Sequence, residues 1–322
     1  MPQHFVPQFY LKYFTPNRSG RIHAYQRDDD VKVGSVSNFC CERGFYSFVD
    51  ASGKVNSTFD EMLKQLESIW ANTFRKLHET KDPDVLTDEE HYEIALFFAF
   101  QQVRSRRFRE HLKCFYDASG KMVLRLHATN IGTLRKSFGE AGIELAEDEA
   151  KEVQDFILKD KFRVEYPEVV HLVLSMEQAL KTFPAYLAKG YWQLAKVESP
   201  NVLITSDNPV AILPPPDRSR FFGVGITNGV ICLPLAPDMA LILHDNDDLV
   251  DYSKSLSAFK VKMINDHLMF SAYRYVFSNV YLPEIDQEFG QTKKGAGERV
   301  VLDGPPNLIP TEYRRPDGGE RE

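Results

Sequence analysis

The sequence predicts an α+β fold with a central mixed or antiparallel sheet and a large helical insert. Two observations carry that prediction. From Phe59 onward apolar residues recur at three- and four-residue steps, whereas after Tyr191 they gather in short strand-like runs. Helices massed in the middle and strands massed in the second half fit α+β better than a strand–helix–strand alternation. The expected organisation is one α+β domain over residues 1–282, with the helical insert at about 59–190 and a largely disordered tail at 283–322.

Residues 7–14 can open as a short helix with Pro7 at its first position, and Asn17-Arg18-Ser19-Gly20 is turn chemistry. Ile22 and Ala24 then alternate with polar neighbours as a short strand does, and Asp28-Asp29-Asp30 reads as solvated loop. Phe59, Met62, Leu63, Leu66, Ile69, Trp70, Phe74 and Leu77 define an amphipathic helix. Thr87 is placed to cap a second long helix from about Asp88 to Phe115. Asp148 to Lys161 and Pro167 to Leu187 continue the helical pattern. Strands are expected at Trp192–Val197, Val202–Thr205, Gly229–Leu233 and Met239–Leu243, the last two separated by Pro234 and Pro237. A loop, expected to be mobile, starts at Pro214-Pro215-Pro216 and runs toward Gly225. A helix from about Leu256 to Tyr273 and a strand near Tyr275–Phe277 close the domain, and residues beyond about Gly304 are expected to be disordered.

The net charge of −7 argues against a generally basic, nucleic-acid-coating surface, but not against a local basic cleft. No apolar run approaches the roughly 20 residues of a bilayer span. The opening Met1-Pro2-Gln3-His4 lacks the basic and apolar regions of a signal peptide. Cys40, Cys41, Cys114 and Cys232 show no zinc-ligand spacing, so reduced cysteines in a cytoplasmic protein are the expectation. The phosphate-binding, dinucleotide-binding, zinc-protease and serine-hydrolase motifs are all missing.

Three segments hold polar residues that invite chemistry. At about 100° per residue, Glu93, Phe97, Phe100, Arg104, Arg107 and His111 share one stripe of the second helix, with Gln101 at its margin. Two explanations stand: an internal ion pair to Glu93 or Glu67, or guanidinium groups that receive a phosphate or carboxylate. Arg106, Arg109 and Lys113 fall on the opposite, solvated face. Thr205-Ser206-Asp207-Asn208-Pro209 follows an apolar strand. It is either a structural turn or a site with Asp207 as metal ligand or base. Asn265, with His267, lies in the closing helix, where an Asn capping an internal polar group competes with a catalytic role.

These segments fall into a wider pattern. His4-Phe5-Val6-Pro7-Gln8-Phe9-Tyr10-Leu11-Lys12-Tyr13-Phe14 resembles the opening of domain-of-unknown-function family 4238, including the short strand that follows. Gln101 or Gln102 with Arg104 resembles its Gln-x-x-Arg helix, and Ser206-Asp207-Asn208-Pro209 its Ser-Asp-Asn-Pro turn. Pro234-Leu235-Ala236-Pro237 resembles its Pro-Leu-Ser-Pro segment, Ala236 departing from the usual Ser. Asn265 with Ala272, Arg274, Val276 and Ser278 resembles its C-terminal helix and strand. Some members of the family are associated with bacterial defence against phages, so the resemblance implies a defence effector without naming a reaction.

The resemblance also implies that the shared polar residues converge in one cleft. His4, Asp207 and Asn265 would be catalytic there, and Gln8, Gln101, Arg104, Arg107 and Asn208 would bind substrate. Such a set suits phosphodiester or nucleotide chemistry, as in a nuclease or nucleotide hydrolase. The cofactor is left unassigned. A metal site is left unassigned, because only Asp207, His4 and Glu42 offer suitable atoms. The expectation is thus an effector acting on nucleic acid or nucleotide, with a phage protein as trigger. Its alternative is a non-catalytic sensor or binding module recognising a phage or host component, and a metal-free glycan or nucleotide hydrolase is the third reading.

Overall fold

A computed structural model of the chain describes residues 2–50, 52–188, 190–213, 230–244 and 255–291. It begins with strand β1 (Pro2–His4), helix α1 (Gln8–Lys12), β2 (Arg21–Gln26), β3 (Lys32–Ser35), β4 (Cys41–Arg43), β5 (Phe48–Val49) and β6 (Val55–Asn56). Helices α2 (Thr58–Thr80), α3 (Asp88–Val103), α4 (Arg106–Ala128), α5 (Ile131–Glu140), α6 (Glu147–Lys159), α7 (Glu168–Glu177) and α8 (Phe183–Leu187) follow, with a π-helical stretch, Gln178–Thr182, before α8. Then come β7 (Tyr191–Val197), β8 (Thr205–Ser206), β9 (Ala211–Leu213), β10 (Val230–Ala236), β11 (Met239–His244), β12 (Ser255–Leu256), α9 (Ala258–Ser271) and β13 (Tyr275–Ser278). The fold is α+β.

The elements form two compact units, one drawn from Met1–Arg109 and Glu168–Val300, the other from Glu110–Pro167. In the first, the order β12-β7-β11-β10-β9 makes a sheet that is antiparallel except where β12 runs parallel to β7. A second, antiparallel sheet has the order β3-β2-β13-β8. The expected central sheet is therefore divided. β1 pairs with β4, and β5 with β6, in two small ribbons.

Strand β10 is buried at every position because both faces of its sheet are covered. Its side chains alternate across the pleat. Ile231, Leu233 and Leu235 join the core that holds Trp70, Phe74, Phe97 and Phe100 of α2 and α3, whereas Cys232 joins Val261, Ile264 and Leu268 of α9. Pro234 was expected to lie outside a strand. It sits inside β10 beside a register irregularity, where its missing N–H is tolerated. The chain turns at Pro237 and Asp238 instead.

The capping box predicted at Thr87 is present, Glu90 N–H donating to Thr87 Oγ1 and Thr87 N–H to Glu90 Oε2. The single helix expected from Asp88 to Phe115 is not. α3 stops at Val103, and Ser105 restarts the chain by accepting the Phe108 N–H, a local cap that competes with helix continuation. The helical turns Pro283–Ile285 and Asp286–Gly290 occupy the start of the expected tail, because Ile285 and Phe289 are buried in the α9-side core. The expected loop at 214–225 and the segment beyond Gly304 lie outside the described residues.

The second unit is narrower than the insert expected at 59–190, since α2, α3, α7 and α8 belong to the first. Ala128, Leu134 and Ile157 form its small core. Asp117 accepts from the Val164 N–H at 2.7 Å, and Lys121 bridges Asp117 and Asp160 at 3.3 and 3.4 Å. A Cβ at Gly120 would stand 2.7 Å from Val164 Cγ1, so a larger residue there would have to displace the Val164 side chain.

Candidate functional site

The break after α3 determines where the basic side chains go. Arg104 and Arg107 were expected on one helical stripe, but they leave the Val103–Arg106 corner in different directions.

Arg104 enters the core. Its side chain is fully buried, and its Nε–H donates to Tyr46 Oη at 3.1 Å. Its Nη2 donates to the His4 carbonyl at 2.5 Å and to Glu67 Oε1 at 2.7 Å. Of the two partners weighed for Arg104, Glu67 is the one used. Glu93 instead accepts from Thr73 Oγ1. Burial disfavours the Arg104 charge, but the Tyr46 and Glu67 partners outweigh it and raise the guanidinium pKa. Burial likewise pushes Tyr46 up to about 12. The His4 ring faces elsewhere, with Nε2 3.2 Å from the Ser37 carbonyl.

Arg107 Nη1 donates to the Phe270 carbonyl at 2.9 Å, and its charge is felt by Asp207. Asp207 is buried at the end of β8. Its Oδ1 accepts the Tyr273 N–H at 2.8 Å, and its Oδ2 accepts the Arg274 and Tyr275 N–H groups at 2.6 and 2.9 Å. Burial nevertheless raises its pKa to about 6, against the lowering effect of those three donors and of Arg107. Next to it, Asn208 Nδ2 donates to the Ser271 carbonyl at 3.4 Å, while Ser206 Oγ accepts the Asn208 N–H at 3.1 Å. The turn and the start of β13 thus brace each other.

Asn265 uses both ends of its amide on the approach to β8. Oδ1 accepts the Ile204 N–H at 3.1 Å and Nδ2 donates to the Val202 carbonyl at 3.0 Å. These bonds serve a segment that was expected to be a strand, but β8 itself begins only at Thr205. Gln101 is fully buried and neither amide atom has a hydrogen-bond partner, whereas Gln8 is half-buried at the start of α1. His267 is driven down to about 4 by burial, with the Arg107 charge adding to the effect.

The sequence-predicted residues therefore gather in two neighbourhoods. His4 and Arg104 share one through the His4 main chain. Asp207, Asn208 and Arg107 share the other with residues 270–275, and Asn265 holds the non-strand segment at Val202–Ile204 that leads into it. Among the described residues, no group of three His, Cys, Asp or Glu side chains is arranged to hold a metal ion, and Glu42 pairs with Arg106 at 2.7 Å.

Sequence reasoning missed Tyr10 and Tyr46. Tyr10 Oη lies 2.8 Å from Thr205 Oγ1 and donates to the Pro234 carbonyl at 2.8 Å, tying the first motif to two others. The available signal was its place in the first motif, but an aromatic residue at helical spacing reads as ordinary core. It also misplaced Arg106 and Arg109. Arg106 pairs with Glu42 and lies over Tyr273 at 5.8 Å, and Arg109 lies 3.6 Å from the Phe45 ring centroid and donates to the Phe45 carbonyl at 2.5 Å.

Fold and site together define an α+β protein in which Arg104, Arg107, Asp207, Asn208 and Asn265 are hydrogen-bonded to the backbone. A family model described as "Protein of unknown function (DUF4238)" matches residues 2–280, and the chain belongs to that family. No curated protein and no solved structure matches it. No helix among the described residues is long and apolar enough to cross a membrane.

Proposed function

We propose that the chain is a recognition module for a single-stranded nucleic acid or nucleotide rather than a phosphodiesterase. One observation carries this reading. Around the Asp207 turn, three guanidinium groups lie over aromatic rings: Arg107 over Phe270 at 5.5 Å, Arg106 over Tyr273 at 5.8 Å and Arg274 over Tyr275 at 4.9 Å. Phe270 is 54% exposed and Arg274 is exposed, while Arg106, Arg107, Tyr273 and Tyr275 are half-buried beside them. Bases stack on aromatic faces at about 1–3 kcal/mol each while guanidiniums meet the phosphates. A local patch of this kind suits a chain whose net charge is −7.

The polar residues first assigned to chemistry support recognition over hydrolysis. Asp207 accepts three backbone N–H groups, and Asn265 is bonded at both ends. A general base or metal ligand needs lone pairs turned toward substrate, and these are turned inward. In this reading the internal network holds the patch rigid. A cytoplasmic sensor of phage or host nucleic acid, in the defence setting that the family resemblance implies, is the corresponding biological role.

The test is fluorescence anisotropy of labelled single-stranded RNA and DNA across a salt series. Binding is expected to weaken with rising salt, with a log–log slope of about −0.7 per phosphate contacted. Phe270→Ala is expected to weaken it by roughly tenfold, the equivalent of about 1.4 kcal/mol. Equal affinity in wild type and variant, or no binding at low salt, contradicts the proposal.

A further inference from the structure

We propose that the cavity beside Arg104 is a binding site for a single halide-sized anion, separate from the aromatic patch. The cavity has about 10 Å³ of free space, roughly the room of one water molecule. It is lined by Tyr46, Arg104, Arg109, His171 and Ser175, closed by apolar side chains that include Leu172 and Met176.

Arg104 supplies the driving force. Its Nε and Nη2 groups have partners, but Nη1 is buried and has none. Two N–H bonds of a charged group without an acceptor are costly in the interior, so an acceptor is called for at this point.

The character of the wall selects an anion over water. Arg104 and Arg109 only donate, and the Ser175 hydroxyl can donate. The Tyr46 hydroxyl already accepts from Arg104, and its own hydrogen is directed at the His4 carbonyl at 3.4 Å. Among the lining side chains, the acceptors open to a water's two hydrogens are the Ser175 hydroxyl oxygen and a ring nitrogen of His171, whereas an anion only receives. The unbranched Met176 side chain can shift by the few tenths of an ångström that separate a halide from a water in size. Phosphate and other tetrahedral oxyanions are too large for the space.

Crystals of the full chain soaked in sodium bromide test the site directly, with an anomalous peak expected within hydrogen-bonding distance of Arg104 Nη1. In solution, thermal unfolding is followed in sodium bromide against sodium gluconate at matched ionic strength. The wild type is expected to be stabilised by bromide, since a ligand bound only by the folded state raises the melting temperature. Ser175→Ala leaves Arg104 and the fold in place and is expected to raise the half-maximal bromide concentration roughly tenfold, as the loss of one hydrogen bond to a charged group implies. An ordered water without anomalous signal, or an identical bromide response in the two proteins, overturns the proposal.

Discussion

Arg104 Nη2 donates to the backbone carbonyl of His4 at 2.5 Å, so the first shared motif is joined to the second through the His4 main chain and not its ring. The two residues therefore differ in what their side chains contribute. Arg104→Ala leaves Glu67 without its partner, the Tyr46 hydroxyl without its donor and the His4 carbonyl with only the longer Tyr46 hydroxyl bond. It is expected to cost about 3 kcal/mol or more by urea denaturation. His4→Ala preserves the carbonyl and is expected to cost under about 1 kcal/mol. Equal losses would contradict the main-chain role.

Asp207 makes stability depend on pH. Its pKa is raised from 3.8 to about 6, so between those values the folded chain binds more protons than the unfolded chain. The contribution is present in full below about pH 4 and is lost as pH rises through about 6, roughly 3 kcal/mol in all. His267 acts in the opposite sense. Its pKa is lowered to about 4, and its contribution is lost as pH falls through that value. The two offset each other in the wild type, so the test is a difference. The stability of wild type minus Asp207→Asn is expected to fall between pH 4 and 6 in denaturation at stepped pH, and a flat difference would exclude the assignment.

Asn265 joins α9 to the strand approach at Val202 and Ile204. Asn265→Ala is expected to destabilise the chain by about 2 kcal/mol, leaving a buried N–H and carbonyl without partners. Asn265→Asp keeps the acceptor for Ile204 but loses the donor to Val202 and adds a charge, so it is expected to be no better. Hydrogen exchange should report faster opening at Ile204 in both variants.

Phe97 is fully buried against Trp70 and Phe74, with ring centroids 5.4 and 4.6 Å away. Phe97→Ala is expected to cost about 3–5 kcal/mol from lost burial and the residual cavity, measured by chemical denaturation. A loss near 1 kcal/mol would mean that this core relaxes to fill the space.

The apolar periodicities of α2 and β11, and the cap at Thr87, were legible because each follows from local spacing. The end of α3 was not, because residues 101–109 remain helical in pattern and only the side chain of Ser105 marks the restart. That one break sends Arg104 to Glu67 and Arg107 to Phe270, a separation the stripe could not reveal. Glu67 was visible as one of two partners, and packing between helices decided between them. The roles of Asp207 and Asn265 rest on backbone groups of residues 202–204 and 273–275, whose proximity is tertiary. Sequence marked these polar residues, while their inward hydrogen bonding became visible only in the fold.

Recognition without cleavage is tested most directly by incubating end-labelled single-stranded RNA and DNA with the wild type, Asp207→Asn and Phe270→Ala, and reading binding and strand length in the same samples. The expected result is an intact strand throughout, with binding kept by Asp207→Asn when folded and weakened roughly tenfold by Phe270→Ala. Shortened strands with the wild type and full-length strands with a folded Asp207→Asn would contradict it and make Asp207 catalytic.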